Sequence, residues 1–97
     1  MPMLIKCTDK PNSLDLRMEH RPVHLDYLES KKDMLLAGGA VLDDDGKPYG
    51  SVLIVNTEDK AEAEAFAAAD PFAQNGLFAT VEVTAWRMAY YNFENKM

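Results

Sequence analysis

Two short segments of this chain carry residue types that can move a proton. Arg21-Pro22-Val23-His24-Leu25 holds an imidazole with Arg17 and Arg21 close by, and Asp70-Pro71-Phe72 holds a carboxylate just ahead of a proline. A histidine changes charge near neutral pH. A carboxylate that holds one of its ring nitrogens leaves the other free to accept or donate a proton. The two arginines read as a local anion site. The fold decides whether the histidine and the carboxylate meet.

Each of these residues also has a plainer reading. His24 is equally a boundary histidine satisfied by hydrogen bonds, and Arg17 a side chain that snorkels from a boundary face. Asp-Pro-Phe-Ala is what an N-cap followed by a first-turn proline looks like, so Asp70 can cap a short turn over 71–74. The two roles of Asp70 are compatible, because one oxygen can cap while the other faces a cleft. Ser51 opens a strand, but no Gly-x-Ser-x-Gly elbow surrounds it, which argues against a hydrolase nucleophile. His20 and His24 have metal-ligand spacing only on a continuous helix, and Pro22 lies between them. With no His-Glu-x-x-His motif and no obvious third ligand, no metal site is expected. Gly38-Gly39 lacks the context of a phosphate loop, and Cys7 sits in an apolar run that reads as core.

The 97 residues form one domain, 1–97, with no internal repeat or linker. A formal net charge of −6 with scattered basic residues argues against a nucleic-acid partner. Cys7 is the sole cysteine, so no disulfide framework is implied. No apolar run is long enough to cross a bilayer or to act as a signal peptide, and a cytoplasmic protein is expected.

The elements that must position these residues follow from periodicity. Residues 3–8 read as a strand closed by Asp9-Lys10-Pro11-Asn12. Ser13 is a plausible cap for a short helix over 13–20. Pro22 should break that pattern and start a longer helix with Leu25, Leu28 and Leu35 inward. Against the helical period, Arg17, Arg21 and His24 fall on or beside the arc of Leu14, Met18, Leu25 and Leu28, and polar residues there violate the pattern. Gly38-Gly39 should stop the helix ahead of a strand around residues 40–42. The loop 43–48 then leads to a strand over 50–56 that is apolar on both faces and should be buried on both. Thr57 can cap an alanine-rich helix that ends by Asp70. Residues 78–88 alternate as a last strand, with Val81, Val83 and Ala85 on one side and Phe78, Trp86 and Met88 on the other. Residues 89–97 form a polar-aromatic tail.

The order β-α-β-β-α-β is that of an α+β, ferredoxin-like sandwich with two helices on one face of an antiparallel sheet. Two helices leave the other sheet face bare, and large apolar side chains of the last strand lie there. That face calls for a second copy of the chain, a homodimer.

Taken in order, Ser13-Leu14, Arg17, Arg21-Pro22-Val23-His24-Leu25, Gly38-Gly39, Gly50-Ser51, Asp70-Pro71-Phe72 and Gly76-Leu77 resemble the YciI-like (YCII-related) proteins. No single motif is specific, but their order and spacing together are. The resemblance implies a ferredoxin-like fold that dimerises through its sheets into a dimeric α+β barrel. It also implies a cleft built on a His-Asp pair, here His24 and Asp70, lined by Arg17, Arg21 and Ser51. Similar domains include a dehydrochlorinase-type lyase of aromatic degradation. One departure is Gly38-Gly39 where many relatives carry Gly-Pro, at one wall of the cleft. The expected chemistry is general acid–base catalysis on a small anionic substrate, an elimination or isomerisation that requires no cofactor. The alternative is a non-catalytic dimer that binds a small ligand in the same cleft.

Overall fold

Alternation in the first segment produces β1 (Met3–Asp9), in which Met3, Ile5 and Cys7 are buried on one face. Along the chain follow α1 (Leu14–Ser30), β2 (Leu35–Leu42), β3 (Pro48–Val55), α2 (Lys60–Ala69), α3 (Pro71–Gln74) and β4 (Phe78–Ala85), then a small hairpin of β5 (Tyr90–Tyr91) and β6 (Glu94–Asn95). This computed structural model describes residues 1–91 and the backbone of residues 94 and 95. The rest of the expected polar-aromatic tail lies outside the described residues.

The four long strands form one antiparallel sheet in the order β2-β3-β1-β4. Both α1 and α2 pack on the face that carries Met3, Ile5, Cys7, Leu53 and Val55. There Phe66, Ala63 and Ala67 of α2 and Tyr27 and Leu28 of α1 complete the core. The fold is the α+β, ferredoxin-like sandwich that the element order predicts. Among the described residues, no helix is long and apolar enough to cross a membrane.

Several local expectations are corrected. Pro22 does not break the first helix: α1 runs unbroken through it for 17 residues. Proline removes the amide that would bond the carbonyl four residues back, here that of Met18. Met18 and Pro22 are both exposed, so water can take the missing donor's place. The helix ends at Ser30, and Leu35 opens β2 rather than closing α1. Gly38 and Gly39 lie inside that strand, not at a helix stop. Leu25 is exposed rather than inward.

The cap of α2 is Asp59, whose side chain accepts from the Ala61 amide at 2.9 Å. Thr57 sits two residues earlier and accepts from the Asp59 amide. In β3, Ser51, Leu53 and Val55 are buried under the helices, while Val52 and Ile54 on the opposite face are only half-buried. Phe78 joins the helix side, where it meets Phe72 edge-on at 6.0 Å. A register shift between Thr8 and Asp9 accounts for this, since an irregularity of that kind re-aims the side chain. Trp86 and Met88 lie beyond the end of β4, although the Trp86 amide still donates to the Pro2 carbonyl.

Candidate active site

The buried residues of α1 are polar: Arg17 and His24. Seven residues apart, they stand two turns from each other on one face, about 10 Å along the axis. An ordinary surface helix buries an apolar stripe, and α1 instead turns two ionisable groups toward the sheet. Each meets a dedicated partner.

His24 Nδ1 lies 2.8 Å from Asp70 Oδ1, with both side chains buried. Asp70 is held there by local backbone chemistry. It stands between α2 and α3 in an extended conformation (φ −61°, ψ 130°), which the following proline favours. Its Oδ1 also accepts the Phe72 amide at 2.9 Å, capping α3. The plain and the functional readings of Asp70 therefore coexist on one oxygen. An ionised carboxylate only accepts, so Nδ1 carries the proton and Nε2 of the neutral ring is the basic atom. Among the described residues no buried side-chain nitrogen or oxygen lacks a partner. Nε2 has no protein partner, which leaves it as the ring atom facing the cleft.

Arg17 is committed elsewhere. Its Nε donates to Asp9 Oδ2 at 2.7 Å and its Nη2 to Asp9 Oδ1 at 3.1 Å and to Ser51 Oγ at 2.8 Å. The Arg17–Asp9 ion pair is almost wholly sequestered, with side chains 4% and 5% exposed. Arg17 also lies over the Phe72 ring, 4.7 Å from its centroid. The same ring stacks on His24 at 4.0 Å and 17°. Phe72, itself fully buried, is thus packed against both the cation and the imidazole.

A cleft of about 220 Å³ opens beside these groups, lined by Arg17, Arg21, His24, Gly38, Gly39 and Ser51, with Leu25 and Leu28 at its edge. Arg21 is exposed and makes no ion pair among the described residues. Larger hollows of about 240 Å³ beside the 43–49 hairpin and about 360 Å³ beside Tyr27 include neither His24 nor Asp70. Cys7 is no nucleophile here. Burial above all, then the Asp70 and Asp9 carboxylates, pushes its thiol from 9.0 up to about 12, with Arg17 opposing. The Tyr27 hydroxyl donates to the Phe66 carbonyl at 2.8 Å, tying α1 to α2. Its ionisation is pushed up by burial and then by Asp70.

All five residues singled out from the sequence border or support one site: His24, Arg17, Arg21 and Ser51 line the cleft, and Asp70 sits behind His24. Asp9 and Phe72 carry roles that sequence reasoning missed. For Asp9 a signal existed: the alternation Met3, Ile5, Cys7 continues inward to position 9, where a carboxylate breaks the apolar pattern. Phe72 carried no such mark, because any buried aromatic satisfies the pattern there. Since α1 is continuous, His20 and His24 do share its register, but no group of three metal-ligating side chains occurs among the described residues.

An antiparallel α+β sandwich with a buried His-Asp pair behind a small cleft defines the class of protein. The chain belongs to the YCII-related domain family, whose model matches residues 1–87. It is 32% identical to protein YciI of Escherichia coli over 90% of this chain and 97% of that one. An uncharacterised Haemophilus influenzae protein is 31% identical over the same shares. Among solved structures, the chain is similar to the 5-chloro-2-hydroxyhydroquinone dehydrochlorinase of Burkholderia phenoliruptrix, in complex with 2,5-dihydroxybenzoquinone. The TM-score is 0.81 at 38% identity, covering 90% of this chain and 94% of that one. A Bacteroides thetaiotaomicron protein provisionally assigned as an antibiotic biosynthesis monooxygenase shares the fold alone, with a TM-score of 0.59 at 15% identity over 99% and 95% of the two chains.

Proposed function

We propose that this protein is a small cofactor-independent enzyme that performs general acid–base chemistry on a small anionic, hydroxylated aromatic substrate. The observation that carries this reading is the 2.8 Å contact of His24 Nδ1 with buried Asp70, which leaves Nε2 toward the cleft. Asp70 orients the ring and stabilises the imidazolium that forms, and Nε2 takes a proton from the substrate. In an elimination, the substrate reacts through its keto tautomer, in which a hydroxyl proton has moved to the chlorine-bearing carbon. Nε2 takes the proton of a second hydroxyl, and the electron pair left on that oxygen moves into the ring as a carbonyl and a new C=C form. The C–Cl bond breaks, with chloride leaving with its electrons. The product is the substrate less HCl, and the histidine returns its proton to water. Arg21 holds a substrate oxyanion at the mouth. The 38% identity to a dehydrochlorinase favours this reaction class over isomerisation.

The reading also takes the protein as a homodimer. Leu4, Val52 and Ile54 are half-buried on the sheet face that no helix covers, and a second copy would complete their burial. The alternative, a dimer that only binds a small ligand, draws support from Arg21, an exposed cation that can hold an anion without any proton transfer.

The deciding experiment measures chloride release from 5-chloro-2-hydroxyhydroquinone. Wild-type turnover that falls at least a hundredfold in His24→Gln supports the enzyme. Saturable binding without chloride release favours the ligand-binding alternative.

A further inference from the structure

We propose that Asp9 and Arg17 are positioning residues that make Ser51 a dedicated hydrogen-bond donor to a negatively charged oxygen of the bound ligand. This rests on the cleft being a ligand site, as in the reading above, and adds which chemical group the inner wall recognises.

Arginine has donors and no acceptor, so the 2.8 Å bond from Arg17 Nη2 fills an acceptor site on Ser51 Oγ. The hydroxyl proton must then go elsewhere. Among the described residues no side-chain or carbonyl acceptor takes it, and Ser51 lines the cleft. A hydroxyl that accepts from a cation is also a stronger donor, because the two bonds polarise each other. Asp9 keeps the arrangement rigid. By holding Nε and Nη2 together it fixes the plane of the guanidinium, and by neutralising it lets the group remain 3% exposed. Arg17 therefore acts through Ser51, and the exposed Arg21 supplies the long-range attraction. His24 Nε2, an acceptor, and Ser51, a donor, offer opposite hydrogen-bond senses to one ligand. That combination fits a ring bearing one protonated and one ionised oxygen, such as a hydroxyquinone or a phenolate. It also keeps Ser51 from serving as a base or nucleophile.

Calorimetric titration with 2,5-dihydroxybenzoquinone, alongside thermal melts, tests this. Ser51→Ala is expected to weaken binding about tenfold or more, the usual cost of losing a hydrogen bond to a charged group. Ser51→Thr, which keeps the hydroxyl, should stay within about threefold of wild type. Asp9→Asn should weaken binding in the native background and add nothing in the Ser51→Ala background, as expected of residues acting as one unit. Binding by Ser51→Ala within twofold of wild type overturns the proposal. So does an undiminished Asp9→Asn effect when Ser51 is absent. If Asp9→Asn does not fold, the Ser51 pair of variants decides alone. Chloride release abolished by His24→Gln, with Ser51→Ala binding normally, would remove this donor role and leave the acid–base reading standing. Failure of the wild-type protein to bind the quinone would overturn the donor role as well.

Discussion

Asp70 Oδ1 serves two masters at nearly equal distance: His24 Nδ1 at 2.8 Å and the Phe72 amide at 2.9 Å. The carboxylate that orients the imidazole is thereby anchored to the backbone that starts α3. An N-cap costs about 1 kcal/mol when lost, and a buried hydrogen bond left half-made costs about 1–3 kcal/mol. Substitutions at Asp70 should separate these roles. Asp70→Asn retains a cap oxygen and should melt within a few degrees of wild type while losing chloride release. Asp70→Ala removes both bonds and should lower the melting temperature by roughly 10 °C or more, at about 4–8 °C per kcal/mol for a chain of this size. Equal activity in Asp70→Asn would show that the carboxylate charge is not used.

The two arginines should behave differently. Removing Arg17 leaves Asp9 buried and unpaired, so Arg17→Met is expected to destabilise the fold by about 3–5 kcal/mol in a urea titration. Arg21 is exposed and unpaired among the described residues. Arg21→Gln should leave the urea midpoint unchanged and raise KM for an anionic substrate, with a weaker salt dependence. A shifted midpoint in Arg21→Gln would place it in the fold rather than at the ligand.

Glycines of the β2–β3 region divide by what surrounds them. A Cβ at Gly50 would stand 2.6 Å from the Cys7 carbonyl oxygen, backbone that cannot step aside, whereas one at Gly39 meets nothing within 4 Å. Gly50→Ala should therefore cost several kcal/mol or prevent folding, on the scale of other overpacked cores. Gly39→Ala should melt at or above the wild-type temperature. Gly39 pairs with Val52, so its Cβ would stand on the sheet face opposite the helices, and any effect should appear in assembly rather than in ligand affinity.

The Cys7 thiol gives a signed pH dependence. Its ionisation moves from 9.0 to about 12 on folding. Above pH 9 the unfolded chain releases this proton and the native chain keeps it. Stability from this group is thus complete below pH 9 and declines as pH rises toward 12, by at most about 4 kcal/mol. The difference in stability between wild type and Cys7→Val should narrow across pH 9–11 by hydrogen-exchange or urea measurements. Native protein at pH 8 should also resist thiol alkylation until it is unfolded.

The open sheet face predicts assembly. Ile54 pairs with Leu4 across β3 and β1 on the side opposite the helices. Ile54→Glu should yield monomers by sedimentation velocity, with the His24–Asp70 contact intact. A wild-type protein that already sediments as a monomer would contradict the homodimer reading.

Local chemistry made much of this protein legible from its sequence. Alternation located the strands, alanine content and a proline bounded α2, and Asp-Pro-Phe marked a capped turn. Those signals act over a few residues, so neighbours in the chain contain them. The order of elements then narrowed the topology to the ferredoxin-like arrangement. Arg17 and His24 stood out because they broke a helical pattern, and that mismatch pointed to the site. Tertiary structure decided the rest. It kept α1 unbroken through Pro22, because the position is exposed and water can replace the lost donor. It turned Phe78 inward through a register shift that periodicity does not reveal. It also gave Arg17 to Asp9 and Ser51, leaving Arg21 for the cleft. Pairings across 46 residues for His24 and Asp70 and 34 for Arg17 and Ser51 depend on how the helices settle on the sheet. Directional hydrogen bonds over such separations exist only after apolar packing has fixed both ends.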